Sequence, residues 1–119
     1  MDDIARAQAR AWRLAAHLPG IEEGTSYGTP AVKVRGKLLT RIRDGGTLVL
    51  MCPLADKELL MEAAPDIYHE TDHYRGWPAV LVRLAAIADD ELALRIEQAW
   101  RMKAPKTLVK QFDAGARSP

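Results

Sequence analysis

The segment AVKVRGKLLTRIRDGGTLVLM, residues 31–51, decides the fold, because it reads as three β-strands joined by two tight turns. Val32 and Val34 alternate with Lys33 and Arg35. Beyond Gly36, Leu38, Thr40 and Ile42 alternate with Leu39, Arg41 and Arg43. A period of two is what a strand with one buried face requires. Arg35, Gly36 and Lys37 supply the first turn. With a three-residue loop holding Gly36 in the left-handed region, the parity predicts Val32, Val34, Leu38, Thr40 and Ile42 on the core face. Lys33, Arg41 and Arg43 then share the opposite face, and Arg35 and Lys37 sit at the tip. Asp44, Gly45 and Gly46 turn the chain into a third strand, Thr47 to Met51.

This hairpin also carries the main functional clue. Between Val32 and Arg43 stand five cations and no acid, in a chain of 17 Lys and Arg against 16 Asp and Glu. A net charge of +1 exerts no general pull on nucleic acid, so any polyanion must be held by a local patch. A cationic ribbon suits phosphates, because each contact displaces condensed counterions. The competing reading is a solvated sheet face whose charges only keep the domain soluble.

Working outward, Ile4, Ala7, Ala11, Leu14, Ala15 and Leu18 fall at helical spacing from Asp2 to Leu18, and Pro19 and Gly20 end that helix. Residues 19–30 read as a loop punctuated by Gly and Pro. Residues 54–64 form a short helix with Leu59 and Leu60 as its apolar contacts, stopped by Pro65. Ile67 to Glu70 and Ala79 to Leu84 read as strands around a loop from Thr71 to Pro78. Asp89, Asp90 and Glu91 place acids at the positive end of a long helix whose Leu92, Ile96, Ala99 and Trp100 face inward. Pro105 breaks it, and Lys106 to Phe112 form a last short helix. The order predicts an α+β fold, with an antiparallel sheet covered on one face by the N- and C-terminal helices. One domain is expected over residues 1–113, with a polar tail over 114–119.

Composition bounds the class. Hydrophobic content of 48% with 28% charged residues suits a globular protein, and no apolar run approaches the roughly 20 residues that span a bilayer. The first residues lack the cationic start and apolar core of a signal peptide, so a cytoplasmic location and no membrane partner are expected. Cys52 is the only cysteine, which excludes an intramolecular disulfide and a thiolate cluster and suggests a packed thiol.

His69-Glu70-Thr71-Asp72-His73 matches the H-E-x-x-H pattern of zinc proteases. That chemistry needs a helix to set two imidazoles one turn apart, with the Glu as general base on the metal-bound water. Pro65 before the motif, Gly76 and Pro78 after it, and the lack of an amphipathic stripe favour a strand running into a loop. A third ligand would have to be His17 or an acid of residues 89–91. No metal, no cofactor and no catalytic residue are therefore expected. Ser26 and Thr25 have no base nearby in sequence, and no glycine-rich phosphate loop precedes a helix. Trp12 and Trp100 lie within helices and read as core. Trp77 shares a loop with His73, Tyr74 and Arg75, where aromatic and cationic groups could stack on bases or fold back to close the sheet edge.

Several stretches resemble one family in order and spacing. They are Leu18 to Glu23, Tyr27 to Lys37, His73 to Pro78 ahead of the strand ending at Leu84, Ala99-Trp100, and Ala104 to Lys106. Together they resemble the MmcQ/YjbR family of bacteria. The resemblance implies a small domain of CyaY-like (frataxin-like) arrangement, described as a double wing and labelled DNA-binding. The hairpin around Gly36 would be one wing and the Thr71 to Pro78 loop the other. The resemblance implies contacts to DNA from Lys33, Lys37, Tyr74 and Trp77, and the charge pattern adds Arg35, Arg41, Arg43 and Arg75. Frataxin-like iron binding does not follow, since the first helix is basic and offers only Asp2 and Asp3 in place of an acidic ridge. The function expected is non-enzymatic DNA binding. The alternative is a small-molecule or protein-binding module with a pocket between the 25–30 and 73–78 loops.

Overall fold

The computed structural model describes residues 2–117. Six strands form one antiparallel sheet in the order β1-β2-β3-β4-β6-β5, from β1 (Ile21–Ser26), β2 (Thr29–Val34), β3 (Lys37–Asp44), β4 (Thr47–Met51), β5 (Tyr68–His69) and β6 (Ala79–Arg83). Helices α1 (Asp3–Ala15) and α3 (Asp89–Lys103) pack across β2 and β3 on one face. Helix α2 (Leu54–Ala63) packs against β5 and β6, and α4 (Lys106–Arg117) closes the chain. The fold is α+β, as the element order predicts. Among the described residues no helix is long and apolar enough to cross a membrane.

The core lies between the sheet and the helices. Val32, Val34, Ile42, Leu48, Leu50, Val80 and Val82 meet Ala7, Ala11 and Ala15 of α1 and Leu92, Ile96, Ala99 and Trp100 of α3. Trp100 is fully buried, and its indole N–H donates to the carbonyl of Pro19 at 2.9 Å, which ties α3 to the end of the first helix. Asp2 caps α1 by accepting from the Ala5 amide at 2.7 Å. Cys52 is a packed thiol, its pKa raised by burial and then by Asp56.

Four details of the sequence reading change. First, residues 21–26 are strand rather than loop, pairing with β2 through six consecutive residues from Ile21↔Val34 to Ser26↔Thr29. The polar IEEGTS run has little β propensity of its own, and the backbone ladder to β2 overrides it. Second, the β2–β3 turn has two residues, Arg35 (φ 50°) and Gly36 (φ 80°), between the opposed Val34 and Lys37. That left-handed pair matches the strand twist better than the three-residue loop. It moves Leu38 opposite Lys33, off the core face, and a bulge then inserts Leu39, which is fully buried. Thr40 and Ile42 regain the core side as expected. Third, Leu59 is 64% exposed, and Lys57 is the α2 side chain that is buried. Fourth, the last helix continues past Phe112 to Arg117, so residues expected as a tail are helical as far as 117. Residues 118 and 119 lie outside the described residues.

Candidate functional site

The face of the sheet away from α1 and α3 carries the alternate residues of each strand. Lys33, Arg41 and Arg43 lie there, as the parity predicts, together with Leu38. Arg35 does not. Its guanidine lies beside Gly20, next to Val34 and Leu108, on the side of the helices. Lys37 opposes Val34 at the hairpin tip and is exposed. The five-cation ribbon is thus divided between the two faces by the two-residue turn.

Two segments rise from the open face and enclose a concavity. One is the β1–β2 turn, where Tyr27 is held at φ 52° and is 90% exposed. A left-handed conformation is costly for a tyrosine, and the tight turn with Gly28 (φ 77°) imposes it. The other is the 71–78 loop, which contains a single 3₁₀ turn over Asp72–Tyr74. Tyr74 folds back onto Val49, Ala79 and Leu81, a second apolar cluster on this face. Trp77 stays 62% exposed. The two expected roles of this loop are therefore split, Tyr74 closing the sheet and Trp77 facing out.

Arg41 joins the two segments. Its guanidinium donates to the Tyr74 hydroxyl at 2.6 Å and to Thr29 Oγ1 at 3.3 Å, and lies 5.4 Å from the centre of the Tyr27 ring. Such a cation over an aromatic face contributes about 0.5–1 kcal/mol where exposed. The concavity they frame measures about 210 Å³. Its floor is Leu38, Val49, Met51 and Ala79, and Tyr27, His73 and Trp77 form its rim. A second hollow of about 360 Å³ adjoins it, reaching Arg43 and Thr71. Among the described residues Lys33 and Arg43 form no ion pair. Arg75 is paired with Asp72 at 2.8 Å, with both groups solvent-exposed.

A residue that sequence reading passes over holds the loop in place. Lys57 is 1% exposed. Its ammonium donates to the carbonyls of Tyr74 (2.7 Å) and Trp77 (3.0 Å) and lies 2.9 Å from Glu70 Oε2. The two carbonyl bonds to one buried cation fix both ends of the Tyr74–Trp77 segment, and Glu70 supplies its counter-charge. The signal was present in the sequence. Lys57 begins the helical stripe that continues through Leu60, Met61 and Ala64, all packed on the core.

The H-E-x-x-H residues are separated by secondary structure. His69 is on β5 and His73 on the 3₁₀ turn, so the one-turn helical spacing of a zinc protease is not present, and Glu70 faces Lys57. Among the described residues no three His, Cys, Asp or Glu side chains are grouped to hold a metal ion. His69 lies on the open face with its Nδ1 buried and unpartnered, and its pKa is lowered by burial, then by Arg83 and Arg43.

The chain is similar to three curated mycobacterial proteins, one of Mycobacterium bovis and one from each of two strains of Mycobacterium tuberculosis, all titled uncharacterized. Each is 47% identical over 60 residues, which cover 50% of this chain and 46% of the relative. The matched part thus spans about half the length of these relatives. No solved structure matches the chain. The YjbR family profile matches residues 16–102, from the end of the first helix through both walls of the concavity to the end of α3. The chain belongs to the YjbR family, also written MmcQ/YjbR.

Proposed function

We propose that this protein binds nucleic acid on the open face of its sheet, with a preference for unpaired strands. Lys33 and Arg43 take phosphates, while Tyr27 and Trp77 offer their rings to bases. The observation that carries the reading is the pairing of these two exposed aromatics across an apolar-floored hollow. Burial is the normal fate of such rings, and an exposed pair flanked by unpaired cations is what single-strand binding uses. Arg41 and Tyr74 act behind the surface by setting the position of Tyr27 and of the loop. Arg35, Lys37 and Arg75 fall outside this footprint, so the proposed contact is the sheet face rather than the hairpin tip.

A second reading has its own support. The 210 Å³ hollow, floored by four apolar side chains and rimmed by Arg41, has room for one ring system, which suits a small planar anion as well as a single base. Fluorescence anisotropy separates the two. Labelled single-stranded DNA, duplex DNA and heparin are titrated at several salt concentrations, with mononucleotide as competitor. The strand reading requires single-strand affinity that falls as salt rises, and a weaker response to duplex. Trp77→Ala should cost about 1–3 kcal/mol on single strands with little change in salt slope. Arg43→Gln should lower the slope by up to about 1. Tight mononucleotide binding with no gain from a longer strand would favour the pocket, and no binding at low salt would remove both.

A further inference from the structure

β1 is a long, open edge. It pairs with β2 through six residues without a bulge, and among the described residues no strand lies on its other side. At the opposite edge β5 is two residues long and packed by α2. The usual protections of an edge are inward charge, lysine, proline, a bulge or extreme shortness. β1 has no lysine, proline or bulge, and its one inward charge, Glu23, is satisfied by Gln8. The two-residue turn at Tyr27 and Gly28 makes Ser26 and Thr29 a pair that exchanges both bonds. By alternation, Ile21, Glu23 and Thr25 direct their N–H and C=O groups to the open edge.

Those three residues oppose Val34, Val32 and Pro30, so their side chains lie on the face that α1 covers. There Ala5, Ala9 and Trp12 of α1 overhang a groove of about 520 Å³ whose other wall includes Glu23 and Thr25. Ala5 and Ala9 are small enough to leave it open beside the Trp12 ring. Gln8, 7% exposed, lines the same groove. Its Nε2 donates to Glu23 Oε2 and to the Ala31 carbonyl, each at 3.0 Å, while its Oε1 is buried without a partner. An unused acceptor beside a carboxylate asks for a donor with positive charge.

From these observations we infer that β1 and this groove dock an extended, basic peptide segment, added to the sheet as a seventh strand. Backbone pairing with Ile21, Glu23 and Thr25 supplies the anchor. An apolar side chain enters between Ala9 and Trp12, and a Lys or Arg two residues away meets Glu23 and Gln8 Oε1. The charge of the occupant follows from the strand itself, which holds Glu22 and Glu23 and no cation. A second copy is disfavoured for the same reason, because antiparallel pairing of two β1 strands brings four glutamates together.

The test is an NMR titration of the full chain with the acetylated, amidated peptide TVTRTVT, whose Val and Arg side chains share one face. Saturable shifts at Ile21, Glu23, Thr25 and the Trp12 indole are expected. TVTETVT, and TVTRTVT with N-methyl groups on alternate residues, should bind at least tenfold more weakly. Thr25→Pro removes an edge-directed N–H and should abolish binding in a protein that still unfolds cooperatively. Ala9→Arg, at an exposed position, fills the groove and repels the peptide, so it should also lose at least tenfold. Equal binding of TVTETVT, binding retained by folded Thr25→Pro or by Ala9→Arg, shifts only around Tyr27 and Trp77, no saturable shift, or a dimer through β1 in sedimentation would each overturn the inference.

Discussion

Replacing Lys57 with Met keeps most of the buried stem and removes the ammonium, which isolates the clamp on the 71–78 loop. The Trp77 carbonyl then loses its donor, and the Tyr74 carbonyl keeps only the Trp77 amide. The Trp77 carbonyl, left unpaired, costs about 1–3 kcal/mol, and the Tyr74 carbonyl loses one charge-assisted bond worth about 1.5–3, so the two cost about 2.5–6. Glu70 Oε2, which faces the ammonium, is buried and loses its counter-charge, which adds to the cost. Relief of the desolvated ammonium offsets part of the loss, which leaves about 2–4 kcal/mol. The carbonyls recover water only if the Tyr74–Trp77 segment lifts from the sheet, so much of this cost should appear as loop opening. Urea denaturation of wild type and Lys57→Met gives the global part. Amide exchange at Arg75 and Trp77, whose N–H groups donate to Asp72 and Tyr74, gives the local part. Stability within about 0.5 kcal/mol of wild type with unchanged exchange at Trp77 would refute the clamp.

Other outcomes follow from the same geometry. Leu39→Asp should cost more than about 4 kcal/mol by burying a lone charge, whereas Leu38→Asp, half-buried in the floor of the open hollow, should cost about 1–2; equal thermal shifts would contradict the bulge. The His69 imidazole is held below its ordinary value of 6.5, so the unfolded chain takes the proton first and stability should fall as pH drops below 6.5. In His69→Gln that slope in melting temperature should be shallower. The Tyr68 hydroxyl, raised from 10.0 to about 12 by burial and by its bond to Glu91, should retain its proton in the folded state while the unfolded chain loses it. Stability present below pH 10 is then lost as pH climbs toward 12, and an ultraviolet titration should show a late tyrosine that is absent from Tyr68→Phe.

The sequence was most informative where one periodicity dominated. Strands β3, β4 and β6 and the core stripe of α3 are readable because Ile42, Leu48, Val82, Leu92 and Ile96 each obey the period of their own element. β1 was not readable, since an edge strand need not be apolar and Glu22, Glu23 and Gly24 look like a loop until β2 is placed beside them. The Leu38–Leu39 reversal turned on one residue of turn length, and both leucines fit either parity. Of the proposed site, Arg41 and Arg43 follow from the charge pattern, and Lys33 and Trp77 follow also from the family resemblance. Tyr27 carries no charge or motif signal of its own, because its exposure depends on a turn between two strands, one of which reads as loop. Lys57 was hidden by the rule that lysines face water. Its burial follows from three oxygen partners on a loop more than ten residues away.

The most direct test of the proposed nucleic-acid surface is a chemical-shift map of the ¹⁵N-labelled chain titrated with an unlabelled oligothymidine at low salt. Saturable shifts should gather at Tyr27, Lys33, Arg41, Arg43, His73 and the Trp77 indole, weaken as salt is added, and leave the exposed faces of α1 and α3 unchanged. No shifts at low salt, or shifts confined to Arg35 and Lys37 at the hairpin tip, would contradict it.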